Sequence, residues 1–245
     1  MGAYMELARW YDDLTGDVPY EAFAEYYEAQ FRTRGKQVRT LLDFACGTGT
    51  LTCLMAQKGY EMIAVDASPD MLMELTEKSA QLEDVIPPLI LCQDASGLDL
   101  NDVVDAAVCS LDGINYLYDE DLEELFHRLH LFIRPDGLFI FDINSPERME
   151  SLDGQVFVDE TENVLCLWRA EFDREERTLF YGMDIFIREG DLWQRSAEEH
   201  IEYAYTVEEL TQMLTDAGFI NITVDLEGPQ HEQGRIFITA ENTNH

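Results

Sequence analysis

Apolar residues along this chain fall into two kinds of run. Short blocks that are apolar almost throughout, at Val38 to Phe44, Glu61 to Val65, Leu89 to Cys92, Val103 to Leu111 and Leu138 to Ile143, predict strands buried on both faces. Between them lie segments of helical character. Leu51 to Lys58 is one, stopped by Gly59; another opens at Ser68-Pro69-Asp70, where the serine hydroxyl suits the helix start and the proline ring presets the first turn. A third spans about Asp119 to Ile133, with leucines and phenylalanines at three- and four-residue spacing. Pro135-Asp136-Gly137 predicts a turn into the fifth strand. Strands of this kind alternating with helices require crossover connections, and so a parallel sheet covered on both faces.

Before the first strand the pattern gives two amphipathic segments, about Tyr4 to Leu14 and Tyr20 to Arg34. At the other end, Thr206 to Asp216 reads as a helix with Thr206-x-x-Glu209 as its capping box and Ala217-Gly218 as its stop. Phe219 to Leu226 and Ile236 to Ala240 then pair across a Gly/Pro turn, which is possible only as an antiparallel hairpin. Between Asn144 and Tyr205 the period changes: Phe157 to Asp159, Val164 to Phe172, Thr178 to Ile187 and Trp193 to Tyr203 read as strands separated by charged turns. The expected organisation is a core of residues 1–145 and 206–245 with an N-terminal helical cover, and an antiparallel β lid inserted at residues 146–205.

The stretch LLDFACGTGTLT, Leu41 to Thr52, carries the chemistry. A strand, a tight glycine turn and a helix start form a cradle for a nucleotide-like ligand, because glycine permits positive φ and lets backbone approach the ligand. Asp66 follows Gly47 by nineteen residues, at the end of the second strand, where a carboxylate can accept from both hydroxyls of a ribose. A dinucleotide site wants a third glycine where this chain has Thr52, which counts against NAD or FAD. Asp43, just before the turn, would repel a pyrophosphate and attract an ammonium group.

Composition narrows the partners. The 245 residues include 50 acids and 16 bases, a formal net charge of −34, which repels phosphate backbones and anionic lipid, so neither nucleic acid nor membrane is an expected partner. Five scattered cysteines without a CxxC or Cys/His cluster read as buried thiols, and no metal site is expected. His127 and His130 have no completing ligand, and His231 and His245 fall in a turn and at the terminus. No stretch approaches 18 uncharged apolar residues, and MGAYMELARWYDD lacks an apolar signal region. Glu6 stands where a myristoylation signal at Met1-Gly2 wants serine or threonine. The expectation is a soluble, cytoplasmic monomer or homodimer.

DFACGTGTLT, the acid in AVDAS, QDAS after the third strand and PDGLFIFDINSP together resemble the successive motifs of class I S-adenosylmethionine-dependent methyltransferases over nearly the whole chain. Within that family, YDDLTGDVPYEAF and EEH…YTVEELTQMLTDAGF resemble a bacterial group acting on small molecules of largely unassigned identity. The resemblance implies a Rossmann-like doubly wound α/β fold with a seven-stranded, mostly parallel sheet, and S-adenosylmethionine as cofactor. It implies that Asp43 and the turn Ala45, Cys46, Gly47, Thr48 and Gly49 hold the methionine moiety, and that Asp66 takes the ribose hydroxyls. Ala67 and Met71 would pack on the adenine, Asp94 and Ala95 would bond its edge, and Tyr20 and Ser110 would complete the cofactor site. Asp94 has a competing reading, as a cap of the Ser96-Gly97 turn.

For the acceptor side, Asp112 and Asn144 follow the fourth and fifth strands at the sheet edge where ligands of open α/β sheets bind. His200, at the end of the last inserted strand, is the expected general base, since imidazole titrates near neutral pH. Tyr11, in the cover, is expected to supply a hydroxyl. The function expected is in-line methyl transfer to nitrogen or oxygen of a small molecule. Two other readings are a cofactor-binding regulatory or assembly protein without turnover, and a nicotinamide oxidoreductase, the latter disfavoured by Thr52 and the antiparallel ending.

Overall fold

A computed structural model describes residues 7–229 and 233–243. Met1, Gly2, Tyr4, Glu6, His231 and His245, which enter the sequence reading, lie outside them. The main sheet has seven strands in the order β10-β11-β5-β4-β1-β2-β3. These are β1 (Thr40–Phe44), β2 (Glu61–Asp66), β3 (Leu89–Cys92), β4 (Val104–Cys109), β5 (Ile133–Asn144), β10 (Phe219–Asp225) and β11 (Arg235–Asn242). The five strands from β1 to β5 pair in parallel, whereas β11 pairs antiparallel with both β5 and β10.

Helices cover both faces. On one side α5 (Asp119–Phe132) and α7 (Val207–Ala217) bury Leu125, Phe126, Leu129, Leu210 and Leu214 against Phe139 and Phe141. On the other, α2 (Tyr20–Thr33) and α3 (Thr50–Gln57) bury Phe23, Tyr27 and Met55 against Leu41, Val108 and Ile140. The local signals act as the sequence suggests. Ser68 caps α4 (Pro69–Ser79), Thr206 and Glu209 form both halves of the capping box, and Gly218 ends α7 at φ 107°.

Three boundaries differ from expectation. β5 runs unbroken from Ile133, absorbing Pro135-Asp136-Gly137. The irregularity survives as a register shift against β4 with Asp136 at φ 62°; a side chain on Gly137 would come within 2.6 Å of the Asp105 carbonyl. A short helix α6 (Pro146–Ser151), capped by Ser145, was not expected. The described part of the first amphipathic segment divides into a 3₁₀ turn at Ala8–Trp10 and the one-turn α1 (Tyr11–Leu14).

The residues between β5 and α7 form a separate antiparallel sheet in the order β6-β7-β8-β9: β6 (Val156–Glu160), β7 (Val164–Asp173), β8 (Thr178–Glu189) and β9 (Leu192–Tyr203). Its inner face packs Val164, Cys166, Met183 and Ile185 against Leu7, Trp10, Tyr11 and Leu14. The N-terminal segment is therefore held between the second sheet and the glycine turn. No helix among the described residues is long and apolar enough to cross a membrane.

Candidate active site

β1 ends at Phe44, and the chain turns through Ala45, Gly47 and Gly49 at φ 55°, 54° and 72°. The two glycines serve different needs. A Cβ on Gly49 would sit 2.1 Å from Leu75 Cδ1, so that glycine lets α3 approach α4. A Cβ on Gly47 would have no heavy atom within 4 Å, so that glycine leaves bare backbone facing open space. Gly49→Ala combines a clash with a left-handed backbone and is expected to cost about 2–4 kcal/mol of stability in thermal or denaturant unfolding. Gly47→Ala is expected to cost about 1–2 kcal/mol, from backbone strain alone.

That open space is a cleft of about 230 Å³. Its lining includes Asp43, Ala45, Cys46, Gly47 and Thr48 from β1 and the turn, and Asp66, Ala67 and Met71 from β2 and α4. Asp94 and Ala95 follow β3, Ser110 and Leu111 follow β4, Tyr116 and Leu117 belong to the turn beyond, and Tyr11 and Tyr20 come from the cover. Three carboxylates line it, at Asp43, Asp66 and Asp94, and among the described residues no lysine or arginine does.

Asp66 accepts from the Gly47 N–H at 2.8 Å through one oxygen and from the Ser68 N–H at 2.8 Å through the other. Burial raises its pKa, opposed by these backbone donors. Asp43 is 2% exposed and accepts from the Thr52 hydroxyl; burial pushes it up to about 7 against that bond, with Asp66 adding to the rise. Thr52, at the place of a dinucleotide site's third glycine, thus supports the acid at the cleft floor. Asp94 caps the turn after β3, accepting from Gly97 N–H at 2.7 Å and Ser96 Oγ at 3.2 Å, and also lines the cleft. The Ser110 hydroxyl shares a 2.7 Å bond with the Tyr27 hydroxyl. Gly49 is not among the lining residues.

Asp12 was missed by sequence reading. One of its oxygens accepts from Thr48 Oγ1 at 2.6 Å and Thr50 Oγ1 at 3.1 Å, and the other pairs with Lys78 Nζ at 2.6 Å. It ties the cover to the glycine turn and α4. Thirty-six residues separate Asp12 from Thr48, so no local spacing could have revealed the contact.

His200, Asp112 and Asn144, expected at the acceptor edge, meet in a seam between β9 and the ends of β4, β5 and β11; His200 and Asn144 are buried, Asp112 is half-buried, and none is among the residues that line the cleft. His200 packs edge-on to the Tyr116 ring at 6.1 Å and lies 3.5 Å from Glu198. Asp112 accepts from Arg235 at 2.7 Å, and Arg235 also bonds Asp142. Asn144 donates from its amide side chain to Glu202 at 3.3 Å and from its backbone to the Asn115 side chain at 2.9 Å. Glu202 is pushed up to about 8 by burial and by Asp112, opposed by Asn144, Arg235 and Arg148. Among the described residues no group of histidines, cysteines and acids is placed to hold a metal ion.

Asp142, deep in β5, was also missed. Its two oxygens accept from the N–H groups of Leu111 at 2.8 Å and Asp112 at 3.1 Å. Both of those residues have φ 56° without being glycine, so the loop after β4, of which Leu111 lines the cleft, is strained backbone held by a buried carboxylate.

The donor set fits S-adenosylmethionine. Carboxylates without a cationic side chain suit a ligand that carries a sulfonium and an ammonium, and they oppose a pyrophosphate. Residues 41–137 match the model of a methyltransferase domain. The provisionally named methyltransferase YqeM of Bacillus subtilis strain 168 is 29% identical over 98% of this chain and 97% of its own length. An S-adenosylmethionine-dependent methyltransferase from Clostridium acetobutylicum superposes with a TM-score of 0.83 at 28% identity, covering 98% of this chain and 99% of that one. The sugar N-methyltransferase KedS8 of a Streptoalloteichus species shares the fold, with a TM-score of 0.78 at 20% identity over 93% of this chain and 90% of its own. The chain belongs to the class I S-adenosylmethionine-dependent methyltransferases.

Proposed function

We propose that the chain methylates nitrogen or oxygen of a small molecule. The observation that carries this is the cleft itself. At about 230 Å³, with Tyr11 and Tyr20 of the cover in its lining, it is a compact cleft beside the N-terminal segment, which favours a small acceptor over a polymer. The net charge of −34 disfavours nucleic acid further, and the name of the structurally similar KedS8 specifies a sugar nitrogen as acceptor.

When bound, the cofactor supplies a methyl group already activated on a sulfonium. The work left to the protein is binding, orientation and exclusion of water. Asp66 holds the ribose hydroxyls, Asp43 and the turn from Ala45 to Gly49 hold the methionine end, and Ala67, Met71, Asp94, Ala95, Tyr20 and Ser110 hold the rest. The acids sit toward the sugar and the amine, because a carboxylate against the sulfonium would stabilise the ground state more than the transition state. Tyr11 meets the acceptor. His200, Asp112 and Asn144 act through the elements they support, His200 by backing Tyr116 and the other two by fixing the loop after β4.

Asp43 makes binding pH-dependent. Its folded pKa of about 7 exceeds the ordinary 3.8, so its neutral form favours the free protein, and that contribution to stability is lost as pH rises through about 7. An ammonium ligand prefers the carboxylate. Affinity for S-adenosylmethionine is therefore expected to rise toward pH 7, by up to about tenfold per unit, and to fall again above about 8 as the ligand's α-amino group loses its proton. Calorimetry across pH reads this profile, and Asp43→Asn should remove the acid limb alone.

A labelled-methyl assay over pools of amines, hydroxylated metabolites, nucleic acids and anionic lipids tests the function, with Asp66→Ala as the inactive control. Labelling confined to nucleic acid or lipid would overturn the reading.

A further inference from the structure

Tyr11 and Tyr20 reach the cleft from a part of the chain with little burial of its own. No residue from Arg9 to Tyr20 is buried, and α1 is a single turn, too short to hold its shape unaided. The segment is fixed at its ends. At the start, Leu7 is buried beside Cys166 and Met183 of the inserted sheet, and its N–H donates to Glu198 at 3.0 Å. At the finish, Tyr20 opens α2, which is rooted in the core by Phe23 and Tyr27. Between these anchors the polar hold on the core is Asp12.

We propose that Asp12 is a positioning residue of the cofactor site: its carboxylate, shared between Lys78 and the glycine turn, is a clasp that keeps Tyr11 in the lining of the cleft and slows the departure of bound S-adenosylmethionine. This rests on the cleft being where the cofactor binds.

The contact joins three elements through both carboxylate oxygens. One accepts from Thr48 Oγ1 and Thr50 Oγ1, and the other meets Lys78 Nζ. Lys78 closes the ring by donating to Thr50 Oγ1 at 2.6 Å and Thr48 Oγ1 at 3.4 Å. Thr48 and Thr50 themselves line the cleft, so the clasp fastens on the loop that would hold the ligand and not on a remote surface. Tyr11, the neighbour of Asp12 in sequence, is thereby tied to that loop.

The charges also stand where the helices favour them. Gly49, at the cap position of α3, has no side chain to offer the free N–H groups, and Asp12 brings an acid to that helix start from 38 residues away. Lys78 lies in the last turn of α4, where a cation is favoured. The chain has three lysines in all and a net charge of −34, so a lysine facing the cover is a scarce partner for an acid.

The clasp is suited to opening. The side chains of Asp12 and Lys78 are 45 and 27% exposed, and a pair so placed is weak and screened by salt. Breaking it releases a segment that buries little, while Leu7 and α2 keep their anchors, so the cover can lift without the core unfolding.

Two measurements on the full chain test this. In the first, labelled S-adenosylmethionine is chased from the protein by an excess of unlabelled ligand. Asp12→Asn and Lys78→Met should each speed dissociation about fivefold at 0.05 M salt, with Lys78→Arg close to the wild type, and the gap should shrink below about twofold at 0.5 M. Asp12→Ala, which also gives up the bonds to both threonines, should exceed tenfold. The second reads the cover with no ligand present: brief trypsin treatment should cut after Arg9 about fivefold faster in Asp12→Asn and Lys78→Met, because cleavage follows the population of the opened segment. Unchanged dissociation in these two variants overturns the proposal, whether or not cutting at Arg9 is faster, and so does a gap that persists at high salt. Asp66→Ala, run alongside, separates the two ideas: if it weakens binding while the Asp12 and Lys78 variants do not, the clasp alone is wrong, and if it too binds as the wild type does, the assignment of the cleft falls and the clasp with it.

Discussion

Asp66→Ala is expected to weaken binding of S-adenosylmethionine by at least about a hundredfold while leaving a folded protein. The carboxylate stands at the end of β2 with its two oxygens already aimed by the Gly47 and Ser68 N–H groups. Two charge-assisted bonds to a ribose diol, at about 1.5–3 kcal/mol each, amount to about two orders of magnitude or more in affinity. The substitution also frees the Gly47 N–H, so the glycine turn loses one of its ties. Asp66→Asn keeps an acceptor in place and should lose less. Calorimetry with the cofactor and with its demethylated product reads both changes, and an unchanged affinity for Asp66→Ala would show that the ribose is held elsewhere.

Asp142→Ala is expected to destabilise the fold by about 3–5 kcal/mol, because it leaves Arg235 buried without its deeper partner and takes the acceptor from two strained N–H groups. In a chain of this length that is a fall in midpoint of roughly 10 °C in thermal unfolding. Burial raises the pKa of Asp142 although Arg235 lies beside it, while Arg235 itself is shifted upward by Asp112 and Asp142 against its own burial. Desolvation of the acid therefore outweighs the attraction it feels. The pair is costly to break without being a large net source of stability, so an Asp142→Leu, Arg235→Met double substitution should lose less than Asp142→Ala alone. If the loop carrying Leu111 and Asp112 positions the acceptor, the double variant should also raise KM for the acceptor more than for the cofactor.

Much of the cofactor side was legible in the sequence because its determinants are local. A strand, Ala45 to Gly49 and the start of α3 are consecutive, and the acid at the end of β2 follows at a spacing fixed by one helix and one crossover. The same holds for the caps at Ser68 and Thr206, since their partners lie three residues away. On the acceptor side, Asp112 and Asn144 stand out in the sequence because they follow β4 and β5 at the carboxyl edge of the sheet, and His200 because it ends the last inserted strand; none of the three lines the cleft. The alternation of β9 instead turns His200 and Glu202 inward to the seam, and Arg235, 123 residues after Asp112, draws that acid away from the cleft. Asp142 carried no signal in sequence, being one acid inside an apolar strand, and its importance arises only from the two N–H groups brought to it by β4.

Sequence alone determined the sheet and its crossovers, the antiparallel ending, the glycine turn with Asp43 and Asp66, and through these the class of cofactor. Each is set by periodicity, by backbone φ that glycine alone adopts freely, or by hydrogen bonds within a few residues. Tertiary structure decided which acids face the cleft and which are spent on Arg235, and how Asp12 ties the cover to the turn through Thr48, Thr50 and Lys78. Those outcomes depend on contacts between residues far apart in the chain, whose distances no local pattern encodes, and on burial, which shifts a carboxylate only once the surrounding elements have closed around it.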